Sequence, residues 1–234
     1  MILQLKSIGQ VRGPYGPKRD QFPARAAYLA PDVADAFVSM VDEVGRDRIG
    51  FSDIWRSGES SLAAVVAGRG AQAPGFSGHN FGVSFDVDVA FTCHALGTAG
   101  RPLPYSELLA LLARYGWHCY RRDGGRGPEE WHFNYLGADA PAVLGSLTRV
   151  TWAGAAEAAI LKRYPAATFA LAPADIQAAL AKVGLYHGDV DGKIGPLSLQ
   201  AVGAFCRAWR LPDGRTDGRF ARTLAFVSAD IARA

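Results

Sequence analysis

The chain has 234 residues, 49% of them hydrophobic and 20% charged, with a formal net charge of +3. That balance excludes a disordered or collagen-like polymer, and three widely spaced cysteines (Cys93, Cys119, Cys206) exclude a disulfide framework. No apolar run approaches the roughly 18 residues of a membrane span, so no membrane insertion is expected.

In chain order, residues 1–25 are rich in glycine, proline and arginine and read as an irregular arm. Met1-Ile-Leu-Gln-Leu-Lys6 lacks the basic stretch and apolar core of a secretory signal, which points to synthesis in a cytoplasm. Pro31, then Ala34, Phe37, Val38, Val41 and Val44 at helical spacing, predicts a helix over about 32–44. Phe51 to Trp55 reads as a short strand, and Arg69 to Gly78 as a loop. In Phe85-Asp-Val-Asp-Val-Ala-Phe91 apolar and polar residues alternate, the pattern of a half-buried strand with Asp86 and Asp88 on one face. A helix over 105–115 stops at Gly116, and Trp117–Arg121 and Trp131–Tyr135 are two further strands. Strands broken by helices without a βαβ rhythm predict an α+β domain with a largely antiparallel sheet over residues 1–150. Residues 151–172 read as an alanine-rich helix and linker. Residues 173–234 read as a small all-α domain with helices near 175–183, 197–209 and 217–227.

Fifteen basic and fifteen acidic residues balance over 1–150, so the +3 surplus lies in 151–234. A modestly basic C-terminal part suits an acidic polymer, nucleic acid or bacterial wall.

Two clusters carry the chemistry. One is Ser77-Gly-His79-Asn-Phe-Gly82-Val-Ser-Phe-Asp86, and the other is Glu129-Glu130-Trp131-His132. A catalytic zinc takes three protein ligands from His and Asp/Glu and keeps a fourth position open. His79, Asp86 and His132 make such a set. The seven-residue offset from His79 to Asp86 puts them on opposite faces of a continuous strand, so the chain must bend between them, and Gly82 can bend. Asp88 is then a supporting acceptor or a surface residue. His94, His118 and His187 carry no such neighbours and read as structural or surface histidines, and Trp131 as a packing residue. Strand alternation puts Glu130 on the face of His132.

Ser-x-His-x-x-Gly-x-x-x-Asp followed by Glu-x-Trp-His resembles the zinc peptidases of the D-alanyl-D-alanine carboxypeptidase type. That family includes VanY-like carboxypeptidases and the L-alanyl-D-glutamate peptidases of phage endolysins. The likeness covers about residues 30–137, extends to Ile54-Trp-Arg56-Ser57, and implies an antiparallel-sheet zinc-peptidase fold. It implies Zn2+ held by His79, Asp86 and His132, with Glu129 as general base, Arg56 stabilising the oxyanion and Ser77 contacting substrate. The family often has proline where this chain has Glu130, so Glu130 stands as the alternative base.

Asp175-Ile-Gln-Ala-Ala-Leu180, Asp191-Gly-Lys-Ile-Gly-Pro196 and Ala201-Val-Gly-Ala-Phe205 are similar to the three-helix peptidoglycan-binding domain of wall hydrolases. Leu180, Leu185, Ile194, Val202 and Phe205 are its expected core. A nucleic-acid module using Arg207, Arg210, Arg215, Arg219 and Arg222 is the rival, and the peptidase-like neighbour favours wall over nucleic acid. The two resemblances together imply a monomeric zinc peptidase acting on peptidoglycan. They fit a phage endolysin with L-Ala-D-Glu endopeptidase activity, made in the host cytoplasm and acting on the wall after release. A D-Ala-D-Ala carboxypeptidase and a non-catalytic peptidoglycan-binding protein are the alternatives.

Overall fold

The computed structural model describes residues 1–9, 11–12, 28–69, 72–119, 129–140, 152–164, 171–212 and 214–233. The fold is mixed α+β, and the pairings within its four-stranded sheet are all antiparallel. The chain divides into two compact units, each discontinuous in sequence. A sheet unit holds Gln4–Arg56, Gly78–Arg163 and Ala232–Ala234, and a helical unit holds Met1–Leu3, Ser57–Ser77 and Tyr164–Ile231.

Residues Ile2–Ser7, placed in an irregular arm by composition, form strand β1, because Leu3 and Leu5 alternate with exposed neighbours and are buried. Strand β2 (Tyr28–Leu29) pairs with the end of β1 through Lys6↔Leu29 and Ser7↔Tyr28. Most of the remaining arm, residues 13–27, lies outside the described residues. Helix α1 (Pro31–Val44) begins at its proline and buries Val33, Ala34, Phe37, Met40 and Val41. The helical spacing predicts Ala34, Phe37 and Val41, while Val38 and Val44 are only half-buried because the buried stripe is centred toward Val33 and Met40.

The sheet that positions the site runs in the order β3 (Phe51–Asp53), β4 (Ser84–Val87), β6 (His132–Tyr135), β5 (Trp117–Cys119). Its register pairs Ser84 with Asn134, Phe85 with Phe133 and Asp86 with His132. Because side chains alternate, the sheet has two unlike faces. One carries Phe85, which lies 4.1 Å from the Trp117 ring, 5.2 Å from Phe51 and 5.8 Å from Phe133, ring centre to ring centre. Phe37 of α1 closes on Phe51 at 5.0 Å, so this face is the core. The other face carries Ser84, Asp86, His132 and Asn134.

Strand β4 stops at Val87, short of the expected run to Phe91. Asp88 ends it by capping helix α3 (Val89–Leu96): its Oδ1 accepts from the Phe91 N–H at 3.0 Å. The role for Asp88 is therefore structural. Helix α4 (Tyr105–Arg114) follows and ends before Gly116, as predicted. The expected strand from Trp117 is described only to Cys119, and the glycine-rich 123–128 lies outside the described residues. Helix α5 (Trp152–Arg163), read from composition as part of a linker, counts with the sheet unit. It buries Ala155, Ala156, Ala159 and Ile160 and sends Arg163 Nη1 to the Tyr135 carbonyl at 3.4 Å.

The helical unit contains α2 (Gly58–Val66), α6 (Pro173–Lys182), α7 (Pro196–Ala208) and α8 (Gly218–Val227). Leu180, Val202, Phe205, Cys206, Phe220 and Leu224 form its core. Segment 57–77 belongs to this unit, although composition groups it with residues 1–150. Buried Arg222 donates to the Gly75 carbonyl and stacks over Phe76, and Thr223 Oγ1 donates to the Pro74 carbonyl at 3.1 Å. Ile194, expected in the core, is 39% exposed, because Lys193 turns its carbonyl inward to Gln177 Nε2 and leaves the next side chain outside. Strand β7 (Asp230–Arg233) carries no signal in the sequence. Among the described residues no helix is long and apolar enough to cross a membrane.

Candidate metal centre

His79, Asp86 and His132 converge. His79 Nε2 lies 3.1 Å from His132 Nδ1 and 3.1 Å from Asp86 Oδ1, and His132 Nδ1 lies 2.8 Å from the same oxygen. Two features bring the first pair together despite their seven-residue offset. Residues Gly78–Phe81 form a 3-10 turn, and Gly82 follows with φ +65 before β4 begins. A side chain at Gly82 would be strained at that φ, and its Cβ would lie 2.7 Å from the Ala30 nitrogen. The third ligand comes from sheet register, since His132 stands directly opposite Asp86.

All three are largely buried, with side-chain exposures of 3%, 13% and 9% for His79, Asp86 and His132. The Nδ1 of His79 lies 2.7 Å from the Ile54 carbonyl. A carbonyl only accepts, so Nδ1 carries a proton, and whenever the ring is neutral its Nε2 lone pair faces inward. The Nε2 of His132 lies 3.3 Å from Asn134 Oδ1, which also accepts from Ser84 Oγ at 2.6 Å.

Electrostatics at the cluster favour a cation. Burial alone pulls the His79 pKa down, but the Asp86 carboxylate and its hydrogen bond override that and hold it above the ordinary 6.5. Burial alone pushes Asp86 up, and the two histidines instead hold it far below the ordinary 3.8. Two imidazole nitrogens and a carboxylate oxygen thus meet around a point that calls for positive charge. These residues could hold a metal ion. An ion with bonds of roughly 2.0–2.1 Å in tetrahedral array needs ligand atoms about 3.3 Å apart, close to the separations here. Calcium, which takes six to eight oxygens at roughly 2.3–2.6 Å, fits the two nitrogens poorly.

The other expected site residues lie nearby or apart. Arg56 donates from its backbone N–H to the His79 carbonyl at 3.2 Å, and its own carbonyl accepts from Asn80 Nδ2 at 2.8 Å. Its guanidinium is held by Asp53 Oδ2 through Nη2 at 2.6 Å and Nε at 2.9 Å. Ser77 is buried and counts with the helical unit. Glu129 to Trp131 form a turn closed by the His132 N–H donating to the Glu129 carbonyl at 3.1 Å. Strand alternation therefore does not extend to Glu130. The turn is tied down by Tyr105, whose hydroxyl donates to the Glu130 carbonyl at 2.7 Å, and by the Cys119 thiol, 3.6 Å from the Glu129 carbonyl.

A cleft of about 390 Å³ opens beside Asp86, and Ser52, Asp88, Glu130 and Trp131 are among its lining residues. Of the two candidate bases, Glu130 lines this cleft and Glu129 does not. Trp131, expected to pack, is 42% exposed at its edge.

Sequence reasoning missed Asn134, Ser84 and the Ile54 carbonyl. The first two were findable: Ser84-x-Asp86 and His132-x-Asn134 are period-two pairs sharing one face. No protein-family model matches the chain, and no curated protein matches it. The chemistry of this centre therefore rests on its own geometry.

Proposed function

We propose that this protein is a zinc-dependent peptidase that cuts a peptide bond in the stem peptide of bacterial peptidoglycan. The observation that carries the proposal is the buried His79–Asp86–His132 group, with a cleft opening on Asp86. Two nitrogens and one oxygen suit zinc, and the motifs holding these residues resemble the D-alanyl-D-alanine carboxypeptidase type.

Zinc bound there supplies Lewis acidity and lowers the pKa of a water. The protein does the rest. A carboxylate on the Glu129–Trp131 turn takes the proton of the attacking water and returns it to the departing amine nitrogen. The family likeness assigns this to Glu129. Arg56, permanently charged and anchored by its backbone to the His79 turn, stabilises in this reading the charge that grows on the carbonyl oxygen. Asp53 holds its guanidinium in place.

The three-helix core from Pro173 supports a wall-binding module, with Val190, Leu197 and Leu199 left exposed on its surface. The reading favours an endolysin that cleaves L-Ala-D-Glu, acting on the wall as a monomer after release from the cell that makes it. Mass spectrometry of wall digested by the protein tests the bond. Stem peptides freed with a new N-terminal D-Glu support endopeptidase action. Stems shortened by one D-Ala assign a carboxypeptidase, and unaltered wall that still binds the protein assigns a binding role.

A further inference from the structure

We infer that Asn134 and Ser84 are positioning residues that set the tautomer of His132 and so open its Nδ1 to the metal. This rests on the metal reading of the site. On one face of the sheet Ser84 stands opposite Asn134, and Asp86 opposite His132, so the four form a two-by-two block. The lower pair supplies two of the three ligand atoms. Of the upper pair, Asn134 meets His132 at its Nε2, and Ser84 meets Asn134.

Asn134 is fully buried, and its Oδ1 lies 3.3 Å from His132 Nε2 and 2.6 Å from Ser84 Oγ. An oxygen at Nε2 requires the proton there, which leaves the Nδ1 lone pair facing Asp86 and His79. His79 uses the opposite atom, Nε2, because the Ile54 carbonyl claims its Nδ1–H. Each imidazole thus donates from its outer N–H to a fixed acceptor, one from the backbone and one from a side chain. The side-chain acceptor is the one that needs orienting. An amide turned by half a revolution would present N–H to Nε2, move the proton to Nδ1 and close that ligand position. Ser84 Oγ donates to Oδ1 at 2.6 Å, so the oxygen is the end of the amide set between Ser84 and His132. Gly78 packs so closely on the pair that a Cβ there would collide with Ser84 Oγ and lie 3.0 Å from Asn134 Oδ1. The pair is therefore held closely against Gly78.

The test uses the full chain, 15N-labelled and loaded with zinc, because without a cation the Asp86 carboxylate, 2.8 Å from Nδ1, competes for the proton there. Long-range proton–nitrogen spectra read which nitrogen of His132 carries the proton, and zinc titration reads affinity. The wild type is expected to carry it on Nε2. Asn134→Asp, which can only accept, should keep that proton position and bind zinc within about threefold of wild type. Asn134→Leu should bind zinc roughly 10–100-fold more weakly. A wild-type proton on Nδ1, or a folded Asn134→Leu with affinity unchanged, overturns the inference. If Asn134→Leu does not fold, Ser84→Ala is measured in its place: weaker zinc binding supports the inference, and unchanged affinity overturns it. Wild type that binds no zinc sinks the proposed function and this inference with it, while zinc bound with the proton on Nδ1 sinks this inference alone.

Discussion

His79 Nε2 and His132 Nδ1 stand 3.1 Å apart, and both lie within hydrogen-bonding distance of a single oxygen of Asp86. The two rings reach this point from different parts of the chain, one from a 3-10 turn and one from a strand. Three lone-pair atoms in such proximity are tolerable only around a cation, either a proton or a metal.

The competition between proton and metal sets a pH dependence. His79 has a raised pKa, so its contribution to metal-free stability is complete below the ordinary 6.5 and fades as pH rises through the raised value. Asp86 has a lowered pKa, so its contribution is complete above the ordinary 3.8 and fades as pH falls below it. The cluster therefore stabilises the metal-free chain most between those two values. Zinc must displace the His79 proton, so the rise in melting temperature on adding zinc should grow from about pH 5.5 to about pH 8. Thermal melts with and without zinc across that range check this, and a rise that shrinks toward alkaline pH would count against zinc at this cluster.

Glu129→Gln should keep wild-type zinc affinity while wall cleavage falls roughly 10²–10⁴-fold. Glu130→Gln should fall much less. Paired metal content and rate measurements decide between the two, and the cleft lining makes the reverse result the informative one. Loss of rate on Glu130→Gln alone would move the base by one residue.

Gly82→Ala should destabilise the sheet unit by more than about 2 kcal/mol. The strain of a positive φ adds to a Cβ placed 2.7 Å from the Ala30 nitrogen. The residue lies between two ligands, so zinc affinity should fall with stability. Urea unfolding and zinc titration of the variant report both, and a variant as stable as wild type would show that the bend does not need glycine.

In the helical unit Gln177 is fully buried and joins a whole loop. Its Nε2 lies within 3.2 Å of Tyr186 Oη, Asp191 Oδ1, the Lys193 carbonyl and Ser198 Oγ, and its Oε1 accepts from the Gly192 N–H at 2.8 Å. Gln177→Ala should cost about 2–4 kcal/mol, because it strands several buried groups at once. Denaturant unfolding of the full chain, followed by a probe in that unit, measures it. A loss below about 0.5 kcal/mol would mean that the loop holds without its hub.

Local pattern made much of this legible. Helices α1 and α4, and the three at the C-terminal end, followed from apolar spacing, proline and glycine, and α5 from its alanine-rich composition. His79, Asp86 and His132 could be paired in advance because Gly82 offered a bend. The extent of β4 was not legible, since Asp86 and Asp88 look equivalent until Asp88 caps a helix. Nor was register: only the pairing of Asp86 with His132 shows that Asn134 lies behind a ligand. The grouping of 57–77 with the C-terminal helices depends on contacts such as Arg222 to Gly75, which are 147 residues apart in sequence and leave no local trace.

The most direct test of the central claim combines zinc analysis with loss of turbidity of purified wall. Protein with one zinc per chain should clear the suspension, protein stripped by chelator should not, and restored zinc should bring clearing back. Asp86→Asn, which keeps the shape but removes the charge at the centre, should bind zinc more than about 100-fold more weakly and fail to clear. Clearing by the stripped chain, or stoichiometric zinc retained by Asp86→Asn, would contradict a metal centre built on His79, Asp86 and His132.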